Sequence, residues 1–519
     1  LTEFYSELSR GLLTVTGQVT PWVRTHLTLQ QVTAGQAGFG EESRVLEYLW
    51  NALQQADPHV DFGAFDNDGP DGVPNSGDDD GVVDAVAFEF IEVSGSCGGP
   101  GIWPHRSAIS WRTGGDPFTS TDPGPGGPIR VDAYIIQSVT ECDGVAVQNA
   151  NVIGHEMGHV LGLPDLYHPI DGIEPTTRRW VVGCWGLMAA GSWGCGDPSL
   201  RVEGYGPVHM SPWSLAQLGW TDFQEAGHDV RYQPYVVEPT GDGGRPLRIP
   251  LDPAGRESIV LEYRTREGFD RSLPGQGLLA YRWNLDGQFR PVRDSGVPYR
   301  FRLLEGDGND DLIRTHENGG NRGELSDLLG FPGNETRLSA TTQPSTRRED
   351  GSPSSLTIHR ISLLPRGAAV WISTHPTPAV VPQDGSPPSA RSPYIQFHRI
   401  GGGVPPYRLE STDLPGWLSV EVSDDLLLLT GVPTGEGTGS LSVALSDAEE
   451  TRFTWDGEVV VGPFFLEIGR VADELLRDTS TLTALEVESL DELGNGNGRL
   501  DVGDLRTHLR TTGQGGPGS

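Results

Sequence analysis

The run from His155 to Asp165, HEMGHVLGLPD, constrains this chain more than any other stretch. In a helix, residues four apart lie on one face, so His155 and His159 can present two imidazoles to a single point. A helix is expected from about Asn149 to Leu163, with Val152, Val160, Leu161 and Leu163 giving it a buried side. Gly162, three residues after His159, is where that helix can end in a left-handed turn. Asp165, six residues after His159, is spaced for a sharp turn to bring it back as a third ligand. Two imidazoles and a carboxylate suit one zinc ion. Glu156, the next residue round, faces the open coordination position, where a carboxylate can take and pass on a proton. Met188 follows in a Gly/Trp-rich loop, WGLMAAGSWG, as expected of a methionine turn beneath such a metal.

Around this run the chain reads as strand-rich. It has 71 Gly and 40 Pro in 519 residues, about a fifth of the chain against a usual share of roughly 12%. Helices are expected at 41–56, where Val45, Leu46, Leu49, Trp50 and Leu53 recur at helical spacing, and from Pro212 to Leu218. Residues 82–93 and 129–138 read as strands. From about 229 to 375 short alternating strands such as SIVLEYR and GLLAYRW imply a β-sandwich-like domain, and 376–393 is a Pro/Ser-rich linker. Residues 394–463 again look all-β, and 464–519 holds helical stretches before a flexible tail, GQGGPGS.

The net charge is −34, and all 37 basic residues are arginine. Such a surface repels nucleic acid and anionic membranes, and no run of about 20 apolar residues spans a bilayer. The four cysteines, Cys97, Cys142, Cys184 and Cys195, fit two disulfides in an oxidising compartment. Cys184 and Cys195 flank one short loop and are the favoured pair, with Cys97 and Cys142 following by elimination. The chain begins at Leu1 without a signal-like run, so a removed signal peptide and propeptide are allowed for. Secretion and a monomeric state are expected.

The runs HEMGHVLGLPDLY, CWGLMAAGSW and SPWSLAQLGW, with FYSELSRGLLTVTGQV near the N-terminus, resemble the immune-inhibitor-A family of secreted bacterial zinc metalloproteases, which are metzincin-like. LEYR…GFDRSLPGQGLLAY and DGNDDLIR…GNRGELSDLL extend the resemblance to about residue 375. It implies an α+β multidomain chain with a catalytic domain over 1–228. It also implies zinc on His155, His159 and Asp165, Glu156 as general base, and protein or peptide substrates. His168 is a rival ligand at the wrong spacing, and Tyr205 and His209 are candidates for stabilising an oxyanion. Relatives often carry a histidine after GLLxY, where this chain has Arg282.

The resemblance also suggests a calcium loop on Asp66, Asp68, Asp80 and Asp84. Calcium takes six to eight oxygens, which Asp/Asn/Gly-rich loops supply. By the same reasoning a second site is expected near Glu305, Asp307, Asn309, Asp311, Asn321 and Asp327. The C-terminal run 493–504 resembles a dockerin-type EF-hand loop, with Asn495, Asn497, Asp501 and Asp504 as ligands. Leu493 stands where an aspartate is expected, and Asp491 lies two residues early. Residues 394–463 look like an immunoglobulin-like module, so docking to a surface or scaffold is a further expectation. In all, one zinc and two or three calcium ions are expected. The competing reading is a calcium-stabilised adhesion protein whose protease part is vestigial; the intact Glu156 speaks against it.

Overall fold

The structure is a computed structural model that describes residues 1–169, 174–202, 204–292, 295–334, 336–476 and 480–513. The expected tail therefore lies outside the described residues from 514 onward. The chain is mixed α/β with several sheets and divides into two compact units. The first holds Leu1–Ala226, Val236–Thr336 and Ile361–Val370; the second holds Gly227–Tyr235, Arg337–Arg360 and Trp371–Ser519.

In the first unit the strand Ala133–Ser138 lies at the centre of a three-stranded sheet. Its Tyr134, Ile135 and Ile136 are buried. Val86–Phe90 pairs with it in parallel, setting Phe88 opposite Ile136, and His105–Ala108 pairs antiparallel, setting Arg106 opposite Ile135. The helix Val45–Ala56 buries Val45, Leu49, Ala52 and Leu53 in a core with Phe88, Ile129 and Tyr134. The expected strand 129–138 is in fact two, Gly127–Val131 and Ala133–Ser138. Asp132 is diverted between them: its carboxylate accepts from the Ser110 N–H and Oγ at 2.8 Å each, and its carbonyl from the Ile109 N–H at 2.9 Å. Those bonds hold the start of the helix Ile109–Thr113 in place of a continuing ladder.

A second sheet of five strands runs Phe301–Leu304, Gly277–Asn284, Glu257–Arg264, Leu247–Pro250, Gln224–Glu225. Its first four strands form an antiparallel ladder with Leu261 opposite Ala280. Tyr281, Phe301 and Leu303 from this sheet share one buried cluster with Phe4, Tyr5, Trp180, Trp185, Met188 and Met210. Both disulfides form as expected, Cys97–Cys142 and Cys184–Cys195.

The second unit contains a four-stranded sheet, Ala379–Val381, Tyr394–Gly401, Leu426–Gly431, Leu418–Ser423, and a three-stranded one, Arg408–Asp413, Gly437–Ser446, Arg452–Val461. All pairings in them are antiparallel. Their alternating residues meet in a core that includes Ile400, Leu427, Leu429, Leu441, Val443 and Val459. The helices Ile468–Leu476, Ala484–Leu493 and Val502–Thr512 follow, and Val471 and Leu490 join the same core.

Candidate metal centre and cleft

The helix Asn151–Val160 carries the central run and buries Val152, Gly154, His155, Glu156 and Gly158. It ends where expected: Gly162 has φ +88°, and the Leu163 N–H returns to the Gly158 carbonyl at 3.0 Å. The loop then turns back, and the Leu166 N–H donates to the Met188 carbonyl at 2.7 Å. Met188 is fully buried beneath the helix. A Cβ on Gly158 would sit 2.4 Å from its sulfur, so the close approach of loop and helix requires glycine there.

The imidazoles are fixed from behind. His155 Nδ1 lies 2.8 Å from the Leu187 carbonyl and His159 Nδ1 lies 2.7 Å from the Leu163 carbonyl. A carbonyl only accepts, so each Nδ1 carries the proton and each Nε2 lone pair is left for a ligand. Both Nε2 atoms are 3.2 Å from Asp165 Oδ1. That oxygen is buried and has no hydrogen-bond partner. Tetrahedral ligands about 2.0–2.2 Å from a zinc ion stand roughly 3.3 Å apart, so the spacing suits a shared cation. The other oxygen, Oδ2, accepts from the Arg290 side chain. Burial works to raise the Asp165 carboxyl; positive charge on the two imidazoles, when they carry a second proton at Nε2, outweighs it and lowers the carboxyl below the usual carboxylate range.

Glu156 is buried one residue away. Burial pushes its carboxyl above the ordinary value, against the pull of both imidazoles and the backbone N–H of Arg106. Arg106 belongs to His105–Ala108, which lies at one edge of its sheet. The cleft is lined by the metal-type residues together with Trp103, Arg106, Tyr167, Arg178, Trp193 and Arg290, among others. Tyr167 stacks beside His155, with ring centroids 6.3 Å apart.

The structure brings His155, Glu156, His159 and Asp165 together and leaves the rivals elsewhere. His168 Nε2 bonds the Pro291 carbonyl at 3.0 Å. The Tyr205 hydroxyl meets Cys195 Sγ at 3.2 Å, and His209 Nε2 meets Glu7 at 2.9 Å; neither residue lines the cleft. Arg282 is buried 3.5 Å from Glu257. Tyr167, Arg178 and Arg290 escaped the sequence reading. Tyr167, two residues after Asp165, carried a proximity signal; Arg290, 125 residues from its partner Asp165, carried none.

Among the described residues one other group of acidic or imidazole ligands converges: Asp66, Asp68 and Asp79, with donor atoms within 4.8 Å of one another. Asp79 was not among the expected ligands. Of the other two residues expected with Asp66 and Asp68, Asp80 donates its N–H to Asp68 Oδ1 at 3.2 Å and Asp84 Oδ1 accepts the Asn67 N–H at 3.4 Å. Both carboxylate oxygens of Asp66 are buried without a partner, and burial with the neighbouring aspartates raises its carboxyl.

Near 305–327 the Glu305 carboxylate accepts from the Asp311 and Leu312 N–H groups, Asp307 accepts from Asn309, and Asn321 Oδ1 accepts the Gly323 N–H. Asp327 accepts from Trp185 Nε1 at 2.7 Å, and its Oδ1 is buried without a partner. In the C-terminal loop Asp491 accepts the N–H groups of Asn497 and Gly498 at 2.9 Å each. Asn495 and Asn497 donate to Asp501, and Asp504 accepts the Asn495 N–H.

Residues 1–221 match the family model described as the immune inhibitor A peptidase M6 catalytic domain. The chain is similar to the pre-pro-metalloprotease PrtV of Vibrio cholerae, 25% identical over 269 residues, which are 48% of this chain and 28% of that protein. It is also similar to immune inhibitor A of Bacillus thuringiensis subsp. alesti, 28% identical over 228 residues, 40% of this chain and 30% of that one. The match spans less than a third of the length of these relatives. A solved endo-fucoidan hydrolase of glycoside hydrolase family 107 aligns with 53% of this chain and 35% of its own at 13% identity, with a TM-score of 0.15 that carries no structural argument.

Proposed function

Residues 1–221 belong to the immune inhibitor A family of M6 peptidases, and from that premise we propose that the chain is a secreted, zinc-dependent endopeptidase acting on proteins. The observation that carries this reading is the convergence of His155 Nε2, His159 Nε2 and Asp165 Oδ1 beside the buried Glu156. These donors fit zinc: neutral imidazoles tied through Nδ1 and a carboxylate oxygen with no other partner.

His155, His159 and Asp165 would hold the ion. Zinc supplies a Lewis acid there, polarising the scissile carbonyl and letting water lose a proton near neutral pH. Glu156 takes that proton as the water oxygen attacks the carbonyl carbon, then delivers it to the leaving amine, so the proton balance closes on one carboxylate. The Arg106 N–H orients Glu156. The free edge of His105–Ala108 offers backbone groups on which an extended substrate can add as a strand.

Calcium is proposed on Asp66, Asp68 and Asp79, with Asp80 and Asp84 close by, and on the 305–327 and 491–504 loops. The convergence of buried, partnerless Asp66 oxygens supports the first of these most directly. The second unit's antiparallel sheets and paired helices are compatible with immunoglobulin-like and dockerin-like modules. Two disulfides suit an oxidising compartment outside the cell, and no described helix is long and apolar enough to cross a membrane. The adhesion reading is not favoured, because a vestigial site has no use for Glu156.

Casein hydrolysis by the zinc-loaded chain tests the proposal. Glu156→Gln is expected to lower kcat by about 10²- to 10⁴-fold while zinc content is unchanged. No chelator-sensitive cleavage by the unmutated chain would overturn the reading.

A further inference from the structure

The cleft carries a charge opposite to that of the molecule around it. The chain has 71 acidic residues against 37 arginines. Yet apart from Glu156 and Asp165, the charged side chains lining the cleft are arginines: Arg106, Arg178 and Arg290. A divalent cation balances the two carboxylates, so the charge of Arg290 is not needed to neutralise them. Arg178 is almost fully buried, its guanidinium 4.6 Å from the ring centre of Tyr167 and 5.4 Å from that of Trp180. It contributes field from a fixed position.

Arg290 differs, because its side chain is 51% exposed. Its neighbours are pinned on both sides: Phe289 packs edge-on against Trp213 with centroids 4.9 Å apart, and the Pro291 carbonyl accepts from His168. One Nη of Arg290 donates to Asp165 Oδ2, and its other donors have no protein partner among the described residues. A guanidinium has five donors in a planar fork matched to a carboxylate. Binding Asp165 alone leaves most of that fork open to the cleft beside the reacting bond.

We propose that Arg290 makes this cleft selective for substrates with an acidic side chain flanking the scissile bond. The inference rests on the endopeptidase reading and adds to it a substrate class. The positive cleft draws anionic segments in, and Arg290 supplies the hydrogen-bonded contact that tells a carboxylate from its amide isostere. Arg290 touches substrate as a specificity residue and, through Asp165, also positions a proposed ligand, so the test must separate the two roles.

Quenched-fluorescence octapeptides differing only in Glu or Gln on one side or the other of the cleaved bond serve as probes for the full zinc-loaded chain. At one of the two positions Glu is expected to be preferred about tenfold in kcat/KM, the scale of one charge-assisted hydrogen bond, mostly through KM. Arg290→Gln, whose amide can still donate to Asp165, is expected to bring that ratio near one. A fall in kcat shared by both peptides reports on the positioning of Asp165 and leaves the Glu-to-Gln ratio to decide. Should Arg290→Gln lose its zinc, Arg290→Lys decides, since it keeps the charge without the fork: a reduced Glu preference supports the proposal and an undiminished one overturns it.

No Glu preference in the unmutated chain, or one that survives Arg290→Gln, overturns it as well. Calorimetric binding of the same peptides to the zinc-loaded Glu156→Gln chain separates failures. Tighter binding of the Glu peptide that Arg290→Gln abolishes upholds the acidic preference even if no peptide is cut, and then it is the endopeptidase reading that fails. Equal binding of both peptides overturns the preference whatever the cleavage.

Discussion

Glu89 lies on the strand Val86–Phe90, where one carboxylate oxygen accepts from Gln137 Nε2 at 2.9 Å and the other is buried without a partner. Burial pushes its carboxyl up from an ordinary value near 4.5 to about 7, with the Gln137 bond opposing. The folded chain therefore keeps a proton between those values that the unfolded chain has released. This contribution to stability is complete below the unfolded value and is lost as pH rises through about 7. Glu89→Gln removes the titration. In urea unfolding at pH 5 and pH 8, the variant is expected to gain on the unmutated chain as pH rises; an equal difference at both values would contradict this. Residues of this kind are hard to read in a sequence, because Glu89 alternates like any strand residue and its cost arises only from what covers it. His155, Glu156, His159 and Asp165 were legible because one helical turn and one loop fix them locally. Arg290 was not, since a cleft wall assembled across 125 residues leaves no spacing to detect.

The loop between Cys184 and Cys195 is an element with few backbone ladders of its own. It carries Met188, and its shape is held by turns, by the disulfide and by the Leu187 N–H bond to His209. Replacing both cysteines with alanine is expected to cost about 3 kcal/mol through the freed loop, measured by denaturant unfolding. Zinc affinity should weaken too, because Leu187 supplies the carbonyl behind His155. The loop 66–80 is the second such element. Its aspartates Asp66, Asp68 and Asp79 converge, so chelating calcium is expected to lower the melting midpoint, and Asp66→Ala to remove most of that calcium response. A midpoint indifferent to chelator would count against a cation there. Helices showed in the sequence through apolar spacing, as at Val45–Ala56. The break at Asp132 did not, because Asp132 leaves the ladder to serve Ser110 and Ile109, partners more than twenty residues back.

At the scale of the whole molecule, charge dominates. A net −34 means that the compact state works against its own repulsion. Raising sodium chloride from 0.05 to 1 M shortens the screening length to about 3 Å. With calcium held in excess, the melting midpoint is expected to rise across that range; a fall would contradict the argument. Composition announced this charge, and alternation announced the strands Glu257–Arg264 and Gly277–Asn284. What the pattern did not carry was the address of their apolar side chains, since hydrophobic burial has no direction. Tyr281, Phe301 and Leu303 share the core of Trp185, Met188 and Met210. The stretch matched by the family's catalytic-domain model, 1–221, is thus shorter than the stretch that shares this core. A gene fragment ending at 221 would leave those buried rings facing water and prone to clump. It would also discard Arg290, so under the role proposed for that residue a foreign segment grafted after that point would change what the cleft accepts even with His155, Glu156, His159 and Asp165 all in place.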